Sequence, residues 1–415
     1  MLTNEKVVAI HTSDMALYLA CRRRWLWGSF LNRGLEPTTK AAPLWFGEAF
    51  HHALKDFHGP RHFPSAVESF YDFVKDSWEH HHHRLPADAA ELVKLGYRMF
   101  EHYDTWLERR DPLTTYEFEG RLQVESGFEI ELPIDQTLLD RLNIDRVVYR
   151  GTFDRVTIDE NGHLWVLDYK TAKRIETGHL LNDPQISAYM WAASCIYDRP
   201  VIGFIYQQHR KDTPKDPRIL KNGHLSTAKD QLTTHKRYKE TLQCLYGKKE
   251  SSWSEKHIEV LNKLAYEETE DKDSYIQRNK VERNQHFIAS TGAKILDIVH
   301  EMINPDTRIF PHQSRNCSMC QFQSPCVSMD DGSDYEHELR NTDLYVTREK
   351  ASSEWELLSF SKLGGILYRA KALAGSIEGS EDYVRSERQD SLSNVDPDGN
   401  SADDSGEYTN EFLNV

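Results

Sequence analysis

Residues 151–170 read Gly151-Thr-Phe-Asp154-Arg-Val-Thr-Ile-Asp159-Glu-Asn-Gly162-His-Leu-Trp-Val-Leu-Asp168-Tyr-Lys170. Two β-rich runs, Arg146–Ile158 and His163–Tyr169, flank Asp159-Glu160-Asn161-Gly162, a strong hairpin signal. Two acids and a lysine interrupt otherwise apolar runs, and charges are seldom buried without partners. Asp168 and Lys170 are two apart, so they share one face of their strand. Turn length decides whether Asp154 joins them. A three-residue loop, Glu160-Asn161-Gly162 with Gly162 as the left-handed bulge residue, pairs Asp159 with His163 and sets Asp154 opposite Asp168. A two-residue Asn161-Gly162 loop puts Asp154 on the other face. The sequence leaves both registers open, and the chemistry requires the first. In that register the two carboxylates repel unless a cation lies between them, and hard oxygen ligands favour Mg²⁺ or Mn²⁺. A neighbouring ammonium can orient a water or stabilise developing charge. The set then suits metal-assisted attack on a phosphodiester. The plainer alternative is a surface hairpin carrying an Asp–Lys pair.

Working outward, Asp183-Pro184-Gln185-Ile-Ser-Ala-Tyr189 follows. Pro184 suits the first helical position with Asp183 as N-cap. Gln185 and Tyr189, four apart, share a helical face. Upstream lies Gly47-Glu-Ala-Phe-His51-His52, where an imidazole can supply a further metal ligand. The choice between His51 and His52 stays open. Cys317-Ser-Met-Cys320, then Cys326, is a C-x2-C-x5-C cluster in a turn-rich loop. Clustered thiols suggest a metal. Cys21 is one candidate fourth ligand, and His312 is its competitor in a Cys3His zinc site. Cys195 and Cys244 read as plain core residues.

The chain has 415 residues and 39% hydrophobic residues, enough for a large core and against wholesale disorder. No apolar stretch approaches a membrane span. The N-terminus lacks a signal pattern, so a cytosolic location is expected. Six cysteines in so long a chain do not make a disulfide scaffold. The net charge is −15. Ser376–Val415 carries eleven acids and two arginines, which leaves −6 for residues 1–375. That tail reads as disordered. Helices are expected over Ser13–Phe30, Leu44–Phe57, Ser65–His82, Ala87–Arg109, Pro184–Tyr197, Thr227–Tyr246, most of 255–303, and Ser353–Ala374. Strands are expected over Thr115–Leu132 and Val201–Gln208, besides the hairpin. Asn304–Val327 reads as a loop.

Taken in order, His51, Asp154, Asp168-Tyr-Lys170 and Gln185-x3-Tyr189 resemble the RecB-like branch of the PD-(D/E)XK nuclease superfamily. Cys21 with Cys317, Cys320 and Cys326 resembles its iron–sulfur subgroup, which includes CRISPR-associated four-cysteine exonucleases and phage relatives. The match runs from about residue 10 to 328. It departs from the name-giving pattern in having Phe before Asp154 and Asp as the second acid. The resemblance implies an α/β, restriction-endonuclease-like fold: a central mixed sheet flanked by helices, with helical insertions. It implies that Asp154 and Asp168 hold divalent metal, with His51 as an additional ligand. Lys170 becomes the catalytic lysine, and Gln185 and Tyr189 the associated helix motif. It further implies a [4Fe–4S] cluster on Cys21, Cys317, Cys320 and Cys326 that staples the two chain ends together.

The implied nuclease domain spans 1–328. It comprises a helical part (10–110), a catalytic core (115–210), and a basic loop with helices (211–328). A helical extension (329–375) and the acidic tail (376–415) follow. The basic stretch His209-Arg210-Lys211, Lys215, Arg218 and Lys221 is expected to face DNA, and Arg22-Arg23-Arg24 is a second candidate phosphate contact. There is no phosphate-binding G-x4-G-K-[ST] loop, so no helicase motor is expected. The expected function is a metal-dependent DNA exonuclease in recombination, repair or DNA processing, acting with partner proteins of those pathways. The competing readings are an iron–sulfur DNA-end-binding module that cleaves weakly or only within a complex, and a zinc-stabilised protein without nuclease activity.

Overall fold

A computed structural model describes residues 6–38, 42–61, 63–80, 85–108, 113–197, 199–269 and 274–347, and the backbone of 368–370. The chain opens with β1 (Val7–Ile10), α1 (Thr12–Ala20), α2 (Arg22–Gly28) and β2 (Leu35–Pro37). Three helices follow: α3 (Ala42–His58), α4 (Ala66–His80) and α5 (Ala89–Leu107). Short strands β3 (Thr114–Thr115), β4 (Glu117–Phe118) and β5 (Arg121–Leu122) lead into β6 (Val124–Leu132) and α6 (Gln136–Leu142). Then come β7 (Arg146–Ile158), β8 (Leu164–Ala172), α7 (Pro184–Ile196) and β9 (Val201–Arg210). The remainder is α8 (His235–Tyr246), α9 (Glu255–Thr269), β10 (Ile276–Glu282), α10 (Gln285–Ile303), α11 (Gln323–Asp331), α12 (Tyr335–Leu339), β11 (Tyr345–Thr347) and β12 (Tyr368–Ala370).

The central sheet runs β10-β9-β8-β7-β6-β12, with β1 and β3 also paired to β7. It is mixed: β8 and β9 are parallel, whereas β6–β7, β7–β8 and β9–β10 are antiparallel. Helix α7 makes the crossover between the parallel pair, as such a connection requires. Period-2 alternation sends the two faces of β8 into different cores. Val166 packs with Phe128, Tyr149, Phe204 and the apolar sides of α7 and α10. Leu167 and Tyr169 pack with Phe46, Phe50, Phe100 and Tyr103 on α3 and α5. Each such buried aromatic or aliphatic side chain is worth about 1.5–3 kcal/mol. A mixed sheet between two helical layers is the α/β architecture that the resemblance implies. Helices α8 and α9 form a small core of their own around Tyr238, Leu242, Trp253 and Leu261.

Several expectations are corrected. The single helix at 13–30 is two, because Cys21 is extended (φ −167°, ψ 111°) and caps both α1 and α2. Helix α8 starts at His235, eight residues after Thr227 and directly after the Thr234 N-cap. The 255–303 region contains β10, an antiparallel strand on β9 that its polar composition hid. The 304–327 loop holds a 3-10 turn, and α11 begins at Gln323. Of the helix expected at 353–374, only 368–370 are described. They are extended and add to β6 in parallel, because β6 offers a free edge. The rest of that helix, and the tail 376–415, lie outside the described residues. No helix among the described residues is long and apolar enough to cross a membrane.

Candidate active site

The hairpin adopts the three-residue loop. Asp159 N–H donates to His163 O (3.0 Å), Gly162 N–H to Asp159 O (3.0 Å), and Gly162 sits at φ +80°. The Asp159 carboxylate fastens the turn through the Asn161 and His163 amides, both at 2.9 Å. Ladder pairs Ile158–Leu164 to Arg155–Leu167 fix a register whose next pair is Asp154 with Asp168. There the strands part, and the Asp154 carboxylate takes the Tyr169 N–H instead (2.8 Å). Phe153 and Val156, three apart, pack into the same core, so the alternation of β7 breaks at Asp154.

Lys170 Nζ stands 2.8 Å from both oxygens of Asp168, as expected for neighbours on one strand face. Gln185, on the first turn of α7, donates to Asp168 Oδ1 at 3.3 Å. The Asp183 cap that starts α7 accepts from Gln185 N and Ile186 N. Tyr189, one turn on, rests edge-on against Phe128 and Phe153, and burial raises its pKa. His51 on α3 faces the acids, with Nδ1 3.3 Å from Asp154 Oδ2. His52 turns away to Asp56 (3.5 Å) and Phe73. The structure therefore brings together His51, Asp154, Asp168, Lys170 and Gln185.

It adds one residue that the sequence did not single out. Glu125 on β6 lies 4.0 Å from His51 Nδ1 and holds a left-handed φ of +47°. Non-glycine residues in that region cost about 1–2 kcal/mol. The β6–β7 register sets it across from Asp154. Among the described residues, His51, Glu125 and Asp154 are the one trio of potential ligand atoms within 4.8 Å of one another. One acid in an alternating strand carries no signal of its own. Glu125 is one of three glutamates in Val124–Leu132, and nothing in the sequence set it apart from Glu129 and Glu131.

The electrostatics are those of crowded carboxylates. Burial, then the Asp154 charge, pushes Glu125 up to about 8. The same two causes raise Asp168 to about 6. Burial opposes ionisation of Asp154, yet His51 and Lys170 hold its pKa below the usual value. His51 is disfavoured by burial but lifted to about 9 by Asp154. Asp168 Oδ2 is buried and accepts no aligned hydrogen bond. Three crowded carboxylates, those of Glu125, Asp154 and Asp168, beside an imidazole fit a hard divalent ion. The side chains whose ligand atoms converge for such an ion are His51, Glu125 and Asp154, with Asp168 opposite Asp154 on the next strand.

The cysteine region is separate. Cys21 Sγ accepts the His312 backbone N–H (3.4 Å), Cys317 Sγ the Ser314 N–H (3.4 Å), and Cys326 Sγ the Arg23 guanidinium (3.2 Å). Trp27 packs edge-on to Phe322, and Cys320 and Cys326 border that cluster. The extended break at Cys21 thus meets the 312–326 segment. His312 reaches Cys21 through its backbone.

The expected DNA contacts need correction. Arg23 is buried, pairs with Asp330 (2.8 Å) and serves the cysteine region. Arg22 pairs with Glu301 and lies over Tyr18 and Phe310. His209 is buried against Phe50 and Tyr103 as part of β9. Arg210 ends that strand, 3.8 Å from Asp212 and over Tyr275. Lys211 lies over Phe46, and Lys215 pairs with Asp212 but stays exposed. Apolar and acidic neighbours brought in by the fold occupy most of these cations.

No curated protein matches the sequence. Among solved structures, the chain is similar to one described as the crystal structure of SSO0001. The identity is 10%, over 75% of this chain and 82% of that one, with a TM-score of 0.28. The model of one family spans residues 12–327, which includes every member of the site just described. On that match over most of its length, the chain belongs to the PD-(D/E)XK nuclease superfamily.

Proposed function

We propose that this member of a metal-dependent nuclease superfamily is a DNA exonuclease, stapled by a [4Fe–4S] cluster, that works in cytosolic recombination, repair or DNA processing. The observation that carries the hydrolytic reading is the meeting of Asp154, Asp168, His51 and Glu125 with Lys170 at the parted end of β7 and β8. A bound Mg²⁺ or Mn²⁺ would supply Lewis acidity and an activated water. The protein supplies the rest. Asp168 and Gln185 fix the frame, and the Lys170 ammonium, one-third exposed, is available to stabilise charge growing on a phosphate.

The exonuclease and iron–sulfur parts rest on the ordered resemblance. N–H donors are directed at three of the four thiols, as they would be around a cluster's sulfur ligands. Among the described residues no three thiols come within 4.8 Å of one another. A multi-iron cluster spaces its ligands more widely.

Incubation of linear and covalently closed circular DNA with Mg²⁺ or Mn²⁺ tests the proposal. Loss of linear DNA from its ends, with circles intact and Asp168→Ala inert, is expected. Cut circles would replace the exonuclease assignment with an endonuclease. Anaerobically purified protein should be brown and carry iron and sulfide.

A further inference from the structure

We propose that a basic trough in the helical insertion, apart from the metal centre, carries the phosphate backbone of the DNA. This deepens the reading of the chain as a DNA nuclease and rests on it. The trough has a volume of about 1630 Å³ and lies between α5, the 213–216 loop, α8, the end of α9 and β10. None of His51, Glu125, Asp154, Asp168 or Lys170 lines it. Seven Lys and Arg side chains face four acids there, in a chain whose net charge is −15. The cations come from distant segments: Arg98 on α5, Lys215 in the loop, Lys236 and Lys239 on α8, Lys280 on β10. Lys236, Arg237 and Lys239 form one basic run on α8, and the fold brings the other cations to it.

The cations outlast the neutralisation available locally. Asp216 is taken by Arg237 (3.2 Å), and Glu268 accepts the His235 N–H (2.8 Å). Lys236 and Lys239 form no ion pair with another described residue. The first turn of α8 holds His235, Lys236 and Arg237 and no acid. Cations at a helix start oppose the macrodipole, and a phosphate held by Lys236 and Lys239 would relieve that opposition. The charges also line an extended trough larger than ordinary small-molecule pockets of about 300–1,000 Å³. A polyanion fits that distribution better than a single small anion.

The test is fluorescence anisotropy with a labelled single-stranded DNA oligonucleotide in EDTA, over a salt series. Binding is then read without turnover, so a wild type that binds but never cuts refutes the nuclease reading and not the trough. Lys236→Glu/Lys239→Glu should weaken binding about tenfold or more at low salt. It should also lower the slope of log K against log salt by about 1.4, the value for two lost phosphate contacts on a single strand. Lys248→Glu/Lys249→Glu makes the same charge change on exposed residues outside the trough and should do much less. Arg98→Glu, on a different helix, should repeat the loss if the double variant proves poorly folded by its melting curve. A wild type that does not bind overturns the proposal. So do trough variants that bind normally, or a control pair that loses as much as Lys236 and Lys239.

Discussion

Asp168 is nearly inaccessible, faces a second carboxylate and shares its ammonium partner with no other acid in direct contact. Its role is therefore electrostatic, and removing it should leave the fold intact. Asp168→Ala and Lys170→Ala are each expected to lower DNA cleavage by about 10²–10³-fold or more, the usual loss for one preorganised charge. Steady-state digestion alongside circular dichroism checks both points. Normal cleavage by Asp168→Ala would dissolve the site assignment.

The shifted acids also set a pH dependence for the metal-free protein. Glu125 and Asp168 have folded pKa values raised above their ordinary ones, to about 8 and about 6. Their contribution is present below about pH 4 and is lost as pH climbs through those values. His51, raised to about 9, contributes below about 6.5 and loses that as pH passes 9. All three act in one direction, so melting temperature in EDTA should fall from pH 5 to 9. Glu125→Gln should flatten the fall. Added Mn²⁺ should restore stability most at the alkaline end, since ion and protons compete for the same oxygens. A melting temperature that rises with pH in EDTA would contradict the assigned couplings.

At the scale of elements, β8 and β9 hold the catalytic strand in place through close backbone contact. A Cβ on Gly203 would stand 2.3 Å from the ring of Trp165. That ring is pinned by the Asp159 carboxylate (3.2 Å) and capped by Lys280 (5.1 Å), so it has little room to yield. Gly203→Ala should cost about 1–3 kcal/mol by overpacking. Gly178→Ala, with nothing within 4 Å of its Cβ, should be near neutral. Urea denaturation measures both. Equal stability of the two variants would mean that the β8–β9 contact is looser than described.

At the scale of the molecule, the segments around Cys21 and Cys317–Cys326 are nearly three hundred residues apart, yet Arg23 reaches Cys326, Asp330 and the helix that carries them. If the four thiols hold one cluster, its binding energy is part of the folding energy. Cys21→Ser and Cys320→Ser should then lose colour and stability to a similar degree. His312→Ala should keep both, because its contact with Cys21 is through the backbone N–H. Iron analysis and melting curves separate these outcomes. A colourless wild type with stoichiometric zinc would favour the zinc reading.

What the sequence alone determined was local. Strand bounds at Arg146–Ile158, the Asp183–Pro184 helix start and the pairing of Asp168 with Lys170 follow from period, capping and a two-residue repeat, which act over a few residues. The hairpin narrowed the register to two choices, and backbone hydrogen bonds around Gly162 selected one. Tertiary structure alone decided the choice of His51 over His52, since two adjacent helical positions differ only in which neighbour they meet. It alone brought Glu125 to Asp154, through a left-handed backbone turn that no composition signals. It also consumed Arg22, Arg23 and Arg210 in pairs and ring contacts while gathering Arg98, Lys236 and Lys280 into one trough. Charge acts through space, and in a chain of 415 residues spatial neighbours are set by packing of the sheet and its two helical layers rather than by order along the chain.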